Sequence, residues 1–355
     1  VSSFLISTWD GGGNLPPALG IATELAARGH DVRFVGHPSQ AARLRGFELT
    51  TYDTDLVAAA GPGLRRLLAT FADRDHGRRV VEAAQARPTD VVVVDCYLFG
   101  VMAELQRAHI PYVVLEHSLD GSFRADLRSP LALLLRLRGV RPRTAVAQAR
   151  RVIAATLAEL DTEADPAVVH TGPVVAGVAA APTEPSVLVS LSTVRFKGLP
   201  GAWQRVLDAL DGLPARVVAT TGPAIDPAEL RIPAGIEVHR WVDHADVLPT
   251  ASLVVGHGGH ATTMAALAHG LPLLVVPVEA KSDQRYVGRT IERAGAGRCV
   301  SRTSSPALIR GAVEELLADG PHRTAARRLG ELIRSGDGAA RGADALESLV
   351  PTSAR

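Results

Sequence analysis

Short valine-rich runs, each followed by a longer helical stretch, recur along this chain, and the series occurs twice. Parallel strands need a crossover of a dozen or more residues, usually a helix, so this alternation points to parallel sheets covered by helices. The first series offers strands at 4–8, 31–35, 91–95 and 112–116, with a helix predicted over about 16–28. The second restarts at Val187, with strands at 187–191, 217–221, 253–255 and 273–276 and a helix over about 201–211. Between them, residues 173–185 are small and proline-bearing, with neither a helical nor a strand period. The expected organisation is an α/β domain over 1–172, a linker over 173–185, a second α/β domain over 186–335, and a terminal helix over 336–355 with the option of crossing back to the first domain.

At 355 residues the chain is too long for one ordinary α/β core and suits two domains. Lys and Arg number 38 against 37 Asp and Glu, so no global field draws it to nucleic acid or to an acidic membrane. A phosphate-rich ligand would have to be held by local groups. Cys96 and Cys299 lie far apart in valine-rich stretches and suit buried thiols in a reducing cytoplasm. No uninterrupted apolar run of about 18 residues occurs, and the sequence opens on a strand-like stretch without a basic leader. The expectation is a cytoplasmic protein with no integral membrane segment. Residues 131–151 form a basic amphipathic stretch that could touch a membrane surface, but Gly139 and Pro142 interrupt its period and favour an ordinary surface helix.

Open parallel sheets bind ligands at the carboxyl ends of their strands, which directs attention to the loops after them. In the second half, residues 253–267 read as strand, small-residue turn and helix: Leu253-Val254-Val255, Gly256-His257-Gly258-Gly259-His260, then Ala261-Thr262-Thr263 and onward. Glycines admit a ligand close to backbone N–H groups, and a helix opening at about Ala261 presents unpaired N–H groups and its positive dipole end to an anion. Thr262 and Thr263 are placed to cap that helix or to donate hydroxyl hydrogen bonds, and His257 to donate from its ring to a phosphate oxygen. The bland alternative is a glycine turn with no ligand.

Arg240-Trp241-Val242-Asp243-His244 lies upstream of this turn, and Gly270-Leu271-Pro272, Pro277, Asp283-Gln284 and Gly295-Ala296-Gly297 lie downstream. Together these residues resemble the donor-binding signature of family 1 glycosyltransferases, inverting enzymes of the GT-B fold that use UDP- or TDP-sugars. The resemblance implies two Rossmann-like α/β domains with parallel sheets facing across a cleft, an acceptor on the first and a nucleotide-sugar on the second. It implies that Trp241, with Val242 beside it, stacks on the nucleobase. His257, Gly258, Gly259, Ala261, Thr262 and Thr263 would surround the diphosphate, Ser192 and Thr193 would close on it, and Asp283 with Gln284 would bond sugar hydroxyls. The sequence departs from the family at Ala261, where Gly is usual, and at Ala265, where a ribose-binding Glu is usual. The spacing from Pro277 to Asp283 is also about two residues longer, closer to that of the GT-B enzyme acting on the lipid-linked peptidoglycan precursor.

The loop from Ser7 to Leu19, with Trp9, Asp10, Gly11-Gly12-Gly13 and Asn14, matches the family loop that carries the catalytic base. Gly12, Gly13 and Asn14 would meet the acceptor. Relatives place His, or in some antibiotic-modifying members Asp, where Asn14 stands, and an amide has no proton-accepting pKa near neutrality. The base must then be another group. Asp10 lies in the same turn, Asp95 ends a valine strand where the family keeps the Asp that orients its His, and His117 ends another strand. Each also has an ordinary structural reading, and an acceptor that is already nucleophilic or a lobe without catalysis would need no base.

Gly11-Gly12-Gly13 fails the dinucleotide spacing at Pro16, and His257 with His260 lacks further ligands, so neither a dehydrogenase nor a metal centre is expected. The reading is an inverting transferase, without bound cofactor or metal, moving a sugar from a UDP- or TDP-sugar to a small, mostly apolar acceptor such as a natural product. A homodimer is compatible with it. The alternatives are transfer to a lipid-linked acceptor, a catalytically silent nucleotide-sugar-binding activator of another enzyme, and a nucleotide-sugar epimerase.

Overall fold

The computed structural model describes residues 1–55, 63–192, 195, 197–279 and 283–350. Its contacts separate two units, Val1–Val174 with Asp337–Arg355, and Val175–Gly336.

The first unit is built on a parallel sheet of seven strands: β1 (Ser3–Ser7), β2 (Asp31–Gly36), β3 (Glu48–Thr51), β4 (Val91–Asp95), β5 (Tyr112–Glu116), β6 (Arg151–Ala154) and β7 (Val169–His170), in the order β3-β2-β1-β4-β5-β6-β7. Both faces of such a sheet are covered, which explains why its central strands are near-continuous apolar runs rather than alternating ones. Val91 and Val93 join Phe4 and Ile6 in one core layer, while Val92 and Val94 join Leu5 in the other, as the two-residue period of a strand requires. The helix Gly338–Glu347 packs on the helix Leu15–Ala27 within this unit. Gly342 makes that approach feasible, since a Cβ there would lie 2.6 Å from Ile21. Arg28 then ties Asp344 at 2.6 Å and Glu347 at 2.8 Å.

The second unit holds six parallel strands: β8 (Ser186–Ser190), β9 (Arg216–Thr220), β10 (Ile236–His239), β11 (Leu253–Gly256), β12 (Leu273–Val275) and β13 (Gly297–Cys299), in the order β10-β9-β8-β11-β12-β13. Its core centres on the fully buried Trp203 of the helix Leu199–Leu210. Residues expected as free linker are partly fixed here, because Ala180 N–H donates to the His269 carbonyl and Ala181 N–H to the Pro249 carbonyl. Both cysteines are free. Among the described residues, no helix is long and apolar enough to cross a membrane.

Each sheet reverses its order of growth once, between β1 and β4 in the first and between β8 and β11 in the second. Those reversals open a crevice beside the strand ends, and both candidate sites lie at them.

Candidate active site

In the first unit, the chain leaving β1 runs from Thr8 to Asn14 across this reversal, and β4 ends there in Asp95. Asn14 is almost wholly buried, and its amide donates to Asp95 Oδ2 at 3.1 Å and to the Trp9 carbonyl at 3.0 Å. Gly11 permits this packing, since a Cβ there would lie 2.7 Å from the Trp9 ring and 2.9 Å from Asn14 Oδ1. Asp95 Oδ1 accepts from the Trp9 indole N–H at 3.0 Å and from the Tyr97 backbone N–H at 3.1 Å. His117 Nδ1 stands 3.2 Å from Oδ2. A carboxylate offers about four lone-pair sites, and these four donors fill them. Burial works to raise the Asp95 pKa, but the charge and hydrogen bond of His117, the Tyr97 N–H and the Asn14 amide outweigh it. The carboxyl is held below its ordinary range and stays ionised.

The consequence falls on His117, half-buried just after β5. A carboxylate facing Nδ1 selects the tautomer that carries its hydrogen there, leaving the ring lone pair on Nε2 as a general base requires. Cys96 Sγ lies 3.7 Å from the same Nδ1, and the ligand atoms of Asp95, Cys96 and His117 fall within 4.8 Å of one another. A metal ion would have to displace donors from Asp95. Burial, with Asp95 and Glu116 nearby, also pushes the Cys96 thiol well up. The trio therefore suits proton transfer better than metal binding.

Two sequence expectations change here. Asp10 is exposed, its Oδ2 accepting from Ser39 Oγ at 2.8 Å. Asn14 serves Asp95 through its amide rather than standing open to an acceptor, although Gly12 and Gly13 beside it are exposed. Close by, the charged run 73–79 is exposed only in part. Asp73 caps the helix Arg74–Ala86, and His76 within it is fully buried, stacked on Tyr52 at 3.8 Å and bonded to Ser7 Oγ at 3.0 Å.

In the second unit, Gly256 ends β11 and the helix His260–Ala268 begins one residue earlier than expected, with Gly259 at its N-cap and no side chain capping it. Its first N–H groups are thus left for another acceptor. Gly258 has φ +90°, and a Cβ on it would lie 2.6 Å from the Gln284 carbonyl oxygen. Only glycine fits this turn. Burial drives the His257 ring down to about 4 despite its bond to the Ser190 backbone, so the imidazole is neutral at pH 7. Its Nδ1 is shut from solvent without a hydrogen-bond partner among the described residues. An orphaned buried nitrogen at a glycine turn is a place where a ligand or water is owed.

Around the turn, Ala261 is exposed, Thr262 half-buried and Ser192 buried. Thr193 lies outside the described residues. Thr263 does not cap the helix as expected: it is buried, and its hydroxyl hydrogen goes to the Gly259 carbonyl at 2.9 Å. Gln284 is buried too, and its Oε1 accepts from the N–H groups of Val278 at 2.8 Å and Glu279 at 3.1 Å. Its oxygen thus braces the loop after β12 rather than meeting a sugar. Asp283 is half-buried at the N-cap of the helix Gln284–Arg293. Trp241, following β10, is 75% exposed, and Val242 beside it is half-buried.

Sequence reasoning missed Trp9 and Tyr97 as holders of Asp95. Trp9 adjoins the glycine turn, which was a signal, but a bond across 86 residues has no local trace. Gly258→Ala is expected to cost about 1–3 kcal/mol through its left-handed backbone and the Gln284 clash, read by urea denaturation. A cost below a few tenths would remove the steric reading of this turn.

Residues 204–340 match the model of the Erythromycin biosynthesis protein CIII-like C-terminal domain. An uncharacterised glycosyltransferase of Methanosarcina mazei is 26% identical, covering 93% of each chain. The L-demethylnoviosyl transferase of Streptomyces niveus is 35% identical over 158 residues, 43% of this chain and 41% of that protein. Among solved structures, the calicheamicin glycosyltransferase CalG4 superposes with a TM-score of 0.80 at 26% identity, covering 100% of this chain and 99% of that one. The glycosyltransferase VinC, solved with dTDP, superposes at 0.76 with 19% identity over 98% and 99%, a likeness of fold. Two parallel α/β units, the glycine turn opening a bare helix end and these relatives together give the chain the GT-B fold and mark it as a sugar-transferring enzyme similar to glycosyltransferases of antibiotic biosynthesis.

Proposed function

We propose that this transferase takes a sugar from UDP or TDP with inversion and delivers it to a small, mostly apolar acceptor, with His117 as the base and Asp95 as the group that orients it. The carrying observation is the 3.2 Å approach of His117 Nδ1 to Asp95 Oδ2. Inversion follows from one direct displacement: the acceptor oxygen forms its bond to the anomeric carbon as the diphosphate oxygen leaves, and the acceptor proton passes to His117 Nε2. Asn14 stands where relatives keep their histidine, yet Asp95 still has an imidazole to hold. The base has moved strands, not vanished.

On the donor side, Trp241 follows β10 and the glycine turn follows β11, three places along in the sheet order. At about 4.8 Å per strand that is about 14 Å, a span that suits a nucleoside diphosphate laid from base to phosphate. The bare helix end and Gly258 would take the diphosphate, and the positive field of that helix end would stabilise it as it leaves. VinC was solved with dTDP and a spinosyn rhamnosyltransferase with thymidine diphosphate, which favours the same class of donor here.

Thermal unfolding with UDP, TDP and GDP tests the donor reading. UDP or TDP at about 100 times its Kd should add roughly 2.7 kcal/mol of stability. If none of the three stabilises the chain, the donor site is misread. If one binds tightly yet no sugar is transferred to any of a broad acceptor panel, the silent-activator alternative replaces catalysis.

A further inference from the structure

Residues 124–151 contain eight arginines and a single carboxylate, Asp126, in a chain whose charges nearly balance as a whole. Asp126 is turned inward to the Tyr97 hydroxyl at 2.8 Å and does not offset them. Arg128, Arg136, Arg141 and Arg143 line a groove of about 880 Å³ in the first unit, and Arg150 and Arg151 border the adjoining one. None of these six pairs with a carboxylate among the described residues, whereas Arg124 next to them is taken by Asp165 at 2.5 Å. The helix Pro130–Leu137 buries Ala132 and Leu135 but leaves Leu133 59% and Leu137 78% exposed, one turn apart on its outer side. The surface is built, not frayed: Gly139 turns the chain at φ +79°, and Arg74 holds that turn through the Gly139 carbonyl at 2.6 Å.

Arginines with no counter-charge beside leucines with no apolar cover call for an occupant that is anionic outside and apolar beneath. We propose that this face docks on an anionic lipid bilayer, with the arginines among the headgroups and Leu133 and Leu137 entering the acyl boundary. Charge complementarity argues for an anionic surface, and the paired leucines argue for lipid over nucleic acid or an acidic protein, which would leave them in water. Such a contact is peripheral and reversible, in keeping with the absence of a spanning helix among the described residues. It would bring the enzyme to where apolar acceptors concentrate, but the binding itself does not depend on the sugar-transfer reading.

The experiment is flotation of the full chain with vesicles of phosphatidylcholine alone, or of phosphatidylcholine and phosphatidylglycerol in equal parts, at low and high salt. The chain should float with the anionic vesicles only, and high salt should release it. Replacing Arg136, Arg141 and Arg143 with Gln should weaken partitioning by about a hundredfold, roughly fivefold for each arginine. Leu133→Ser with Leu137→Ser should weaken it by about tenfold. All five side chains are exposed, so both variants should melt with the parent, which separates lost docking from lost folding. No flotation at low salt, or equal flotation with neutral vesicles, would overturn the proposal. Undiminished binding by the leucine variant would also overturn it, leaving an acidic macromolecule as the occupant.

Discussion

Replacing His117 with Ala is expected to lower kcat by about 100- to 10,000-fold while leaving the stabilisation by UDP or TDP unchanged. The first part follows from loss of the only imidazole that Asp95 holds at the strand ends of the first unit among the described residues. The second follows because the proposed donor contacts all belong to the second unit. Asp95→Asn should fall in the same range for a different reason. An amide in that place must offer two N–H groups where the carboxylate accepted from Trp9, Tyr97, Asn14 and His117, so the imidazole loses both its orientation and its counter-charge. The ascending limb of the pH–rate profile should be present in the parent and missing in His117→Ala. A His117→Ala enzyme with the parent's kcat and pH profile would dismiss the dyad. Asp10→Asn, by contrast, should keep nearly full activity, since the Asp10 carboxylate is exposed and engaged by Ser39.

The second large effect concerns acid stability. Burial drives the His76 ring down to about 3, against the pull of the Val35 carbonyl and the charge of Asp95. In the unfolded chain the same ring titrates near 6.5, so below that pH protons bind the unfolded state first. The contribution of neutral His76 is therefore complete above about pH 6.5 and is lost progressively as pH falls toward 3. The whole window is worth about 5 kcal/mol at 1.36 kcal/mol per pH unit, and roughly 2 kcal/mol is gone by about pH 5. Against a typical total of about 5–15 kcal/mol, that weakens the fold well before carboxylates protonate. His257, depressed to about 4, adds a smaller term of the same sign in the second unit. Urea unfolding at several pH values should show the decline, and His76→Gln should flatten it by about 2 kcal/mol between pH 7 and about 5 while lowering stability at pH 7. An unflattened profile in that variant would assign the acid sensitivity elsewhere.

The alternation of valine runs with helical stretches was enough to read two parallel α/β units, because a parallel strand buried on both faces must be apolar along its whole length, and Val91–Val94 shows it directly. The glycine turn at 256–259 was equally legible, since a strand, small residues and a helix start follow one another in sequence and the geometry is local. Finer features of that loop were not. Thr263 looked like a cap from its neighbours, but the helix begins one residue earlier, and its hydroxyl then falls against the Gly259 carbonyl. Gln284 looked like a sugar contact until its oxygen was found bracing Val278 and Glu279.

The base shows the division most clearly. From residue types alone, Asp10, Asp95 and His117 were all open, and Asn14 only said that the usual place was empty. Which of them meet depends on the order in which strands pair, and sequence order does not state that. β4 lies between β1 and β5, so the ends of three strands far apart in the chain adjoin, and Asn14, Asp95 and His117 converge while Asp10 does not. Sequence by itself determined the class of fold and the glycine turn, because periodicity and backbone freedom are written residue by residue. Only the tertiary structure decided which imidazole Asp95 holds, because a contact across 22 residues between strand ends depends on sheet register and on nothing nearer.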